Sequence, residues 1–276
     1  MMKRKIAKLL RGMPAVDGAG VRLVRVLGHG DVYDFDPFLM LDSFDSTDPK
    51  DYVKGFPMHP HRGIETITYL IDGEIEHHDS LGNKGVIRSG ESQWMTAGGG
   101  ILHQEMPKPS DRMLGFQLWL NMPRVEKMDP PAYFEITGDM MPVVEEDGAQ
   151  VKVISGNYKD VVGPEPKHIP ATLYDISLSH RSGITLDTKA EETVFIFVIQ
   201  GSGFIGGQPI EEKTAVLFGQ GDQVEITASE HQRARVIFFS GKPLKEPIAW
   251  GGPIVMNTEE ELDLAFRQLR EGTFIL

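Results

Sequence analysis

The sequence contains no cysteine, which excludes disulfide bonds and thiolate metal ligands. Any metal site must therefore use nitrogen and oxygen donors. No apolar run approaches the roughly 18 residues of a membrane-spanning helix. The apolar stretch in the basic segment 1–13 is too short and broken for a secretory signal. These absences predict a protein that stays out of the membrane, in the cytoplasm, or also in the nucleus if the host has one.

Basic residues are scarce, because 28 lysines and arginines stand against 40 aspartates and glutamates and give a net charge of −12 at pH 7. Such a surface repels nucleic-acid phosphates. The one basic cluster, Lys3–Lys5 with Lys8 and Arg11, is more simply a solvated tail. We therefore expect no direct nucleic-acid partner. The G-x-S-x-G motif of serine nucleophiles is missing as well, so no nucleophilic residue is indicated.

The 276 residues exceed the size of most single domains, which favours two domains. The 30 glycines and 18 prolines favour many short strands joined by turns. A stretch rich in proline and acidic residues, 121–148, is interpreted as the connection between an N-terminal domain, 1–135, and a C-terminal domain, 136–276. Apolar and β-branched segments predict strands at Val21–Leu27, Ile64–Ile71, Trp94–Ala97, Phe116–Asn121 and Val151–Ile154.

The two halves of the chain contain similar segments. Thr66–Ile75 is similar to Val194–Gly203, and Val86–Ala97 is similar to Leu217–Ala228. In each half, an apolar strand ends at a turn glycine, and a glycine–acid turn with another strand follows. An internal repeat of this kind indicates a duplicated domain. The predicted fold is therefore all-β, with two tandem antiparallel β-sandwich or barrel domains.

One helix is predicted, at the C-terminus, over about 258–271. Thr258 and Glu261 occupy the positions of a capping box, and Gly272 occupies the position of a C-cap glycine. Apolar residues between them recur at helical spacing and form one stripe that would pack against a sheet. These residues are Leu262, Ala265, Phe266 and Leu269.

Two short motifs carry candidate metal ligands. His59 and His61 are two residues apart, and His103 and Glu105 repeat that spacing. On a strand, residues i and i+2 point to the same face, so each motif presents two donors together. A lone histidine is more often a hydrogen-bonded structural residue, but two matched pairs beside glycine-rich turns favour a metal. On neighbouring strands inside a barrel, they would form a site of three imidazoles and one carboxylate.

Glu65 lies on the same strand face as His59 and His61 by parity. It could be a metal ligand itself. We expect instead that it orients a ligand or pairs with Arg62 or another cation, because it lies too far along the strand to reach the same ion. Its replacement should then weaken metal binding roughly 10–100-fold. Three apolar residues could line a pocket beside the site or simply belong to the core: Phe56, Met58 and Trp94.

Of the remaining histidines, His77 and His78 are adjacent, so on a strand they would point to opposite faces. The others are isolated in the sequence. We interpret all of them as surface or structural residues. They are His29, His77, His78, His168, His180 and His231. In the second half of the chain, the positions aligned with the two ligand pairs fall near Asp187 and Lys189 and near Ala234 and Val236. These residues do not repeat the cluster, so the C-terminal domain is predicted to hold no metal.

The chain resembles the pirin family of the cupin superfamily over nearly its whole length, from about Val21 to Phe274. The most specific similarity lies in Gly55–Pro107, which contains the motifs HPHRG, QWMTAG and GILHQEMP. Further similar segments are Phe35–Phe44, Gly115–Asn121, Val153–Gly156, Gly252–Leu262 and Ala265–Phe274.

This resemblance implies a bicupin, with jelly-roll domains and metal only in the N-terminal one. The implied ligands are His59, His61, His103 and Glu105, and Glu65 would lie outside the direct ligand set. The implied cofactor is one divalent ion, first of all Fe(II), with Mn, Co, Ni, Cu or Zn as alternatives.

The resemblance also implies two functions. Some members resemble quercetin 2,3-dioxygenases, which open the central ring of a flavonol with O₂ and release carbon monoxide. The substrates would then be O₂ and a small aromatic, flavonol-like molecule. Glu105, as ligand and nearest carboxylate, would act as the general base that accepts the substrate's hydroxyl proton. The alternative is an iron-dependent, redox-sensing regulator, a transcriptional coregulator that acts through protein partners.

Overall fold

A computed structural model describes residues 2–275. In that range the chain forms 26 strands and one α-helix, and no helix there is long and apolar enough to span a membrane. The helix is α1 (Glu259–Glu271). Single-turn 3-10 helices lie at His29–Asp31, Pro49–Asp51 and Gly138–Met140. The strands are β1 (Ile6–Arg11), β2 (Met13–Asp17), β3 (Val21–Leu27), β4 (Phe38–Ser46), β5 (Phe56–His61), β6 (Ile64–Asp72), β7 (Glu74–Asp79), β8 (Lys84–Arg88), β9 (Ser92–Thr96), β10 (Ile101–Pro107), β11 (Met113–Asn121), β12 (Ala132–Ile136), β13 (Val143–Glu146), β14 (Ala149–Ser155), β15 (Asn157–Tyr158), β16 (Val161–Val162), β17 (Thr172–Leu178), β18 (Gly183–Asp187), β19 (Thr193–Gly201), β20 (Gly203–Ile205), β21 (Gln208–Ile210), β22 (Thr214–Phe218), β23 (Gln223–Ala228), β24 (Ala234–Gly241), β25 (Ala249–Gly251) and β26 (Ile254–Met256).

The chain divides into two compact units, each of which includes one end of the sequence. The unit that we call the histidine unit comprises Pro14–Gly138 and the chain from Leu244 onwards. The second unit comprises the chain up to Met13 and Asp139–Pro243. All three tryptophans of the sequence, Trp94, Trp119 and Trp250, fall in the histidine unit.

These units differ from the domain limits 1–135 and 136–276 at both ends of the chain. The first strand, β1, pairs with β22 and so belongs to the second unit. The helix α1 packs against β25 and β26 in the histidine unit. The segment 121–148, expected to be a connection, contains β12, which pairs with β9 of the histidine unit. Sequence order alone could not place these segments, because their partners are distant along the chain.

Two antiparallel sheets build the histidine unit. The larger has the strand order β12-β9-β6-β11-β4-β3-β2, and the smaller has the order β5-β10-β7-β8. The strand β10 shows the alternation expected of a half-buried strand, because every second residue from Ile101 to Pro107 is buried. Its central buried residues are His103 and Glu105. The smaller sheet therefore directs polar side chains inward.

The second unit repeats this topology. Its sheets have the orders β1-β22-β19-β24-β17-β14-β13 and β18-β23-β20-β21. By position in the sheets β6 corresponds to β19, in agreement with the similarity of Thr66–Ile75 to Val194–Gly203. The other similarity is displaced by one strand. Val86–Ala97 covers β8 and β9, which correspond to β21 and β22, whereas Leu217–Ala228 covers the end of β22 and β23. The predicted all-β fold of two tandem domains is confirmed.

The same correspondence relocates the counterparts of the histidine strands. The strands β5 and β10 correspond to β18 and β23. The counterpart of the second ligand pair therefore lies on β23, and the placement near Ala234 and Val236, on β24, was wrong. The buried side chains at the centre of β18 and β23 are apolar: Ile184, Leu186, Val224 and Ile226.

The C-terminal helix is confirmed at Glu259–Glu271. The Thr258 side chain accepts a hydrogen bond from the Glu261 backbone N–H, and the Glu261 side chain accepts from the Thr258 backbone N–H, which completes the predicted capping box. Gly272 ends the helix in the left-handed region, at φ 72°. Leu262 and Ala265 of its apolar stripe are buried.

Arg62 ties the C-terminal segment to the strand that carries two of the histidines. Its side chain is 2% exposed. The Nη1 atom donates to Gln268 Oε1 at 2.6 Å, and Nη2 donates to the Phe274 carbonyl oxygen at 2.7 Å. The guanidinium also lies 4.2 Å above the centre of the Phe274 ring. The residue after His61 is thus fixed by the last turn of α1 and by the tail beyond it.

Lys127 makes a second buried connection in the same region. Its Nζ donates to Gly63 O at 2.7 Å, Asn121 Oδ1 at 2.6 Å and Val255 O at 3.0 Å. Burial disfavours the charged form and lowers the pKa of Lys127 to about 7. The three acceptors favour the charged form, because they match the three N–H bonds of the ammonium group. Gly63 itself has φ +77°, and a Cβ there would lie 2.0 Å from Val255 O. The turn after β5 therefore requires glycine.

Replacement of Arg62 by alanine is expected to destabilise the histidine unit by about 3 kcal/mol, because it removes two charge-assisted hydrogen bonds and leaves a buried carbonyl without its partner. Tryptophan fluorescence during urea unfolding measures this unit, since it contains every tryptophan. Arg267→Ala, at an exposed position of α1, is the control and should change the free energy by less than about 0.5 kcal/mol. Equal midpoints for the two variants would contradict this assignment.

Candidate metal centre

Pairing of β5 with β10 brings three histidines together. His103 lies directly opposite His59, and His61 lies opposite Ile101. Paired residues of an antiparallel ladder share a face, as do residues i and i+2. All three rings therefore point into the barrel, with one donor atom from each within 4.8 Å of the others. The ring centres are 4.5 Å apart for His59 and His103 and 5.1 Å apart for His61 and His103.

Backbone carbonyl groups fix two of these rings. His59 Nδ1 lies 2.9 Å from Pro57 O, and His61 Nδ1 lies 3.0 Å from Pro253 O. Because a carbonyl oxygen can only accept, both Nδ1 atoms carry the ring proton and both Nε2 atoms present lone pairs. These two Nε2 atoms are 3.0 Å apart. Donors about 2.1 Å from one ion at a right angle would be about 3.0 Å apart, so the arrangement fits a shared cation.

His103 supplies the third donor from a buried position. Its side chain is 1% exposed, and neither ring nitrogen has a hydrogen-bond partner among the described residues. A buried imidazole without partners is costly unless something else binds it. Burial, together with the charges of the neighbouring histidines, holds the pKa values of His61 and His103 well below the usual range. Both rings are therefore neutral at neutral pH, as a metal ligand must be.

Glu105 lies beside this cluster. Its Oε2 is 4.0 Å from His103 Nε2. Gln117 Nε2 donates to both carboxylate oxygens, at 2.9 and 3.0 Å, and the Thr68 hydroxyl donates to Oε1 at 3.3 Å. The opposing strand has an irregularity here, because Glu105 pairs with Phe56 rather than with the residue expected from the register. The carboxylate is thus buried, oriented by an amide and within reach of the histidines.

Glu65 occupies a different place from the one expected. The strand breaks at the Gly63 turn, so Glu65 lies on β6 in the larger sheet, and its parity with His61 along one strand was wrong. Trp94 Nε1 donates to Glu65 Oε2 at 2.8 Å, and the Thr96 hydroxyl donates to Oε1 at 2.6 Å. Arg62 binds Gln268 and the Phe274 carbonyl oxygen instead of this carboxylate.

A cavity of about 540 Å³ opens beside the histidines. A pocket of this size suits a small aromatic molecule. Trp119 and Trp250 line it, with ring centres 5.9 Å apart, and Trp119 also lies edge-on to His61 at 5.0 Å. His29 stacks on Trp250 with ring centres 3.7 Å apart. One wall of the cavity is therefore a continuous aromatic surface.

The three apolar pocket candidates have different outcomes. Phe56 lines the cavity. Met58 is 43% exposed and lies outside the cavity lining. Trp94 is 2% exposed, binds Glu65 and is also absent from the lining. Met58 precedes His59 on β5, and adjacent strand residues point to opposite faces, so Met58 projects outward. Trp94 is instead buried in the larger sheet.

Several lining residues were missed by the sequence analysis. Trp119 follows Gln117 by two residues on β11, so the two side chains share a strand face, and both line the cavity. Trp250 and Pro253 belong to the C-terminal segment, and nothing local in the sequence places them beside the histidines. His29, interpreted as a surface or structural residue, lines the cavity.

The cavity also has a charged side formed by Arg25, Asp42 and Asp17. Arg25 faces Asp42 across β3 and β4, with Nε to Oδ1 at 2.9 Å and Nη2 to Oδ2 at 2.7 Å. Its Nη2 also donates to Asp17 Oδ2 at 2.7 Å. Glu105 is thus one of three carboxylates that line the cavity.

Family profiles match both halves of the chain. The pirin profile matches residues 20–120, and the profile described as the pirin C-terminal cupin domain matches residues 173–275. The pirin-like protein of Caulobacter vibrioides is 41% identical over 278 residues, which cover 99% of this chain and 100% of that protein.

Solved structures share the fold. A quercetin 2,3-dioxygenase from Acinetobacter baumannii is 30% identical with a TM-score of 0.90, over 99% of this chain and 98% of that chain. The bacterial pirin YhhW from Escherichia coli, solved in complex with nickel(II), is 26% identical with a TM-score of 0.65, over 86% of this chain and 99% of that chain. The two domain profiles and the relative that matches from end to end show that this chain belongs to the pirin family.

Proposed function

We propose that this protein is a metal-dependent dioxygenase that opens the central ring of a flavonol with O₂ and releases carbon monoxide. The observation that carries the proposal is the convergence of three imidazoles at a cavity with an aromatic wall. Similarity to the Acinetobacter baumannii quercetin 2,3-dioxygenase supports the same reaction class.

The proposed ligands of one divalent ion are His59, His61, His103 and Glu105. The His59 and His61 Nε2 atoms already have the separation of two donors to one ion, and Glu105 Oε2 lies 4.0 Å from His103 Nε2. The first candidate is Fe(II), which the resemblance to the pirin family implies, and a set of three nitrogens and one oxygen can also hold Mn, Co, Ni, Cu or Zn. The nickel complex of the related bacterial pirin agrees with this tolerance.

A bound ion supplies Lewis acidity, which lowers the pKa of a hydroxyl that binds it. The remaining tasks belong to the protein. Trp119 and Trp250 orient the planar substrate and keep water from its face. The Glu105 carboxylate accepts the proton of the flavonol hydroxyl, while Gln117 Nε2 holds that carboxylate in place through both oxygens. The flavonol and O₂ give carbon monoxide and a ring-opened product in which an ester joins the two aromatic parts.

Removal of His103 is expected to abolish tight metal binding, because the remaining donors leave the ion with too few nitrogen ligands. Elemental analysis after loading and desalting should find one ion per chain in the unmodified protein and almost none in His103→Ala. His78→Ala is the matched control, since His78 is the half-buried neighbour of the cluster on β7. Retention of metal by the His103 variant would refute the ligand set.

The two buried glutamates of the barrel should respond differently to substitution. Glu105→Gln removes a proposed ligand, and we expect the metal Kd to rise at least about 100-fold. Glu65 binds Trp94 and Thr96, so Glu65→Gln should lower the thermal midpoint, because these two residues lose a charged acceptor. We expect it to raise the Kd by about 10-fold, the lower end of the range expected for a residue that supports a metal site without binding the ion. Calorimetric titration of both variants measures the contrast. The reverse ranking would assign the fourth ligand to Glu65.

Catalysis is tested by loading the protein separately with Fe(II), Mn(II), Co(II), Ni(II), Cu(II) and Zn(II), and by following quercetin loss and carbon monoxide release. We expect turnover with at least one redox-active ion and none in His103→Ala. Absence of turnover with every ion would remove the dioxygenase proposal while leaving the metal site intact.

A further inference from the structure

The charged side of the cavity is built with unused hydrogen-bonding capacity. The Asp42 carboxylate, 6% exposed, holds Arg25 through a two-point contact at 2.9 and 2.7 Å. That contact fixes the position of Arg25 but leaves one nitrogen of its guanidinium, Nη1, without a role. Nη1, with two N–H bonds, makes no hydrogen bond to any described residue, although the side chain is 36% exposed and lines the cavity.

Asp17 complements Arg25 as an acceptor. Its Oδ2 accepts from Arg25 Nη2 at 2.7 Å, and its Oδ1 accepts from the Gly18 backbone N–H at 2.7 Å. A carboxylate offers about four acceptor positions, so two remain for a ligand. The side chain is 48% exposed and lines the same cavity as the histidines. A donor and an acceptor thus lie side by side, both accessible from the cavity.

A phenolic hydroxyl matches this pair, because it donates one hydrogen bond and accepts others. A carboxylate matches it poorly. A carboxylate has no proton to donate to Asp17. It would also place a second negative charge beside the Asp17 carboxylate, which this side of the cavity disfavours. The wall formed by Trp119 and Trp250 requires a planar ring.

We propose that Arg25 and Asp17 form the specificity determinant of this cavity, which selects a planar aromatic substrate with a second hydroxyl group, distinct from the hydroxyl that binds the ion. This rests on the proposed function for the choice of substrate class. Arg25 Nη1 donates to the second hydroxyl oxygen, and Asp17 accepts its proton in a hydrogen bond. The ligand selected is an uncharged polyphenol rather than an aromatic acid.

The test compares quercetin with 3-hydroxyflavone. The second compound keeps the hydroxyl that would bind the metal and lacks every other hydroxyl group of quercetin. Binding is followed without O₂ by quenching of tryptophan fluorescence in the Zn(II)-loaded and metal-free protein, because zinc has no redox chemistry. The variants are Asp17→Asn and Arg25→Lys. The control is Arg22→Lys, on the same strand, whose side chain is 74% exposed and pairs with Asp51 at 3.5 Å, outside the cavity.

We expect the unmodified protein and Arg22→Lys to bind quercetin at least about 10-fold more tightly than 3-hydroxyflavone, since a site built for a hydroxyl discriminates against its absence. Asp17→Asn and Arg25→Lys should each reduce that ratio to about 3-fold or less, with 3-hydroxyflavone affinity nearly unchanged. Asp17→Asn alters an exposed side chain, so it keeps the test valid if Arg25→Lys unfolds.

An unchanged ratio in Asp17→Asn, equal binding of both ligands by the unmodified protein, or binding of neither would overturn this inference. The outcome is separable from that of the proposed function. Turnover of both flavonols without discrimination would leave the dioxygenase standing and remove the specificity determinant. Discrimination in binding without turnover would leave the polyphenol site and remove the dioxygenase.

Discussion

Two imidazole nitrogens that face each other with their lone pairs at 3.0 Å repel one another unless a cation lies between them. His59 and His61 are in this position because the Nδ1–H group of each ring donates a hydrogen bond to a backbone carbonyl oxygen, Pro57 O or Pro253 O. The backbone thus determines the tautomer before any metal is present, and His103 joins from the paired strand without a hydrogen-bond partner among the described residues. The geometry is costly alone and favourable around an ion.

That constraint explains why the histidine unit includes the end of the chain. Pro253 lies between β25 and β26, so the carbonyl that orients His61 comes from a segment almost 200 residues further along the sequence. Arg62, held by Gln268 and the Phe274 carbonyl, fixes the neighbouring backbone. The same segment brings Trp250 to the cavity wall. Metal geometry and substrate surface therefore depend on one docked segment, and a loss of α1 packing would disturb both.

Local sequence patterns predicted side-chain directions within a strand. They did not predict which distant segments of the chain meet at the site. The i,i+2 spacing predicts that His59 and His61 share one strand face, because pleating fixes side-chain direction, and the structure brings both of them close to His103. Parity misled for Glu65, since the Gly63 turn starts a new strand in another sheet. The second of the two segment similarities, Val86–Ala97 with Leu217–Ala228, was displaced by one strand, because short apolar strands with glycine turns look alike. Trp250 had no local signal at all.

The two units show how little of the sequence is needed to create the site. They share one topology of a seven-stranded and a four-stranded sheet. Where β5 and β10 direct imidazoles and a carboxylate inward, β18 and β23 direct isoleucine, leucine and valine. Apolar side chains stabilise a barrel by burial alone, whereas buried polar donors must be compensated by an ion and by fixed hydrogen bonds. The chemistry of this protein therefore resides in a few inward positions of one small sheet, and the duplicated fold only positions them.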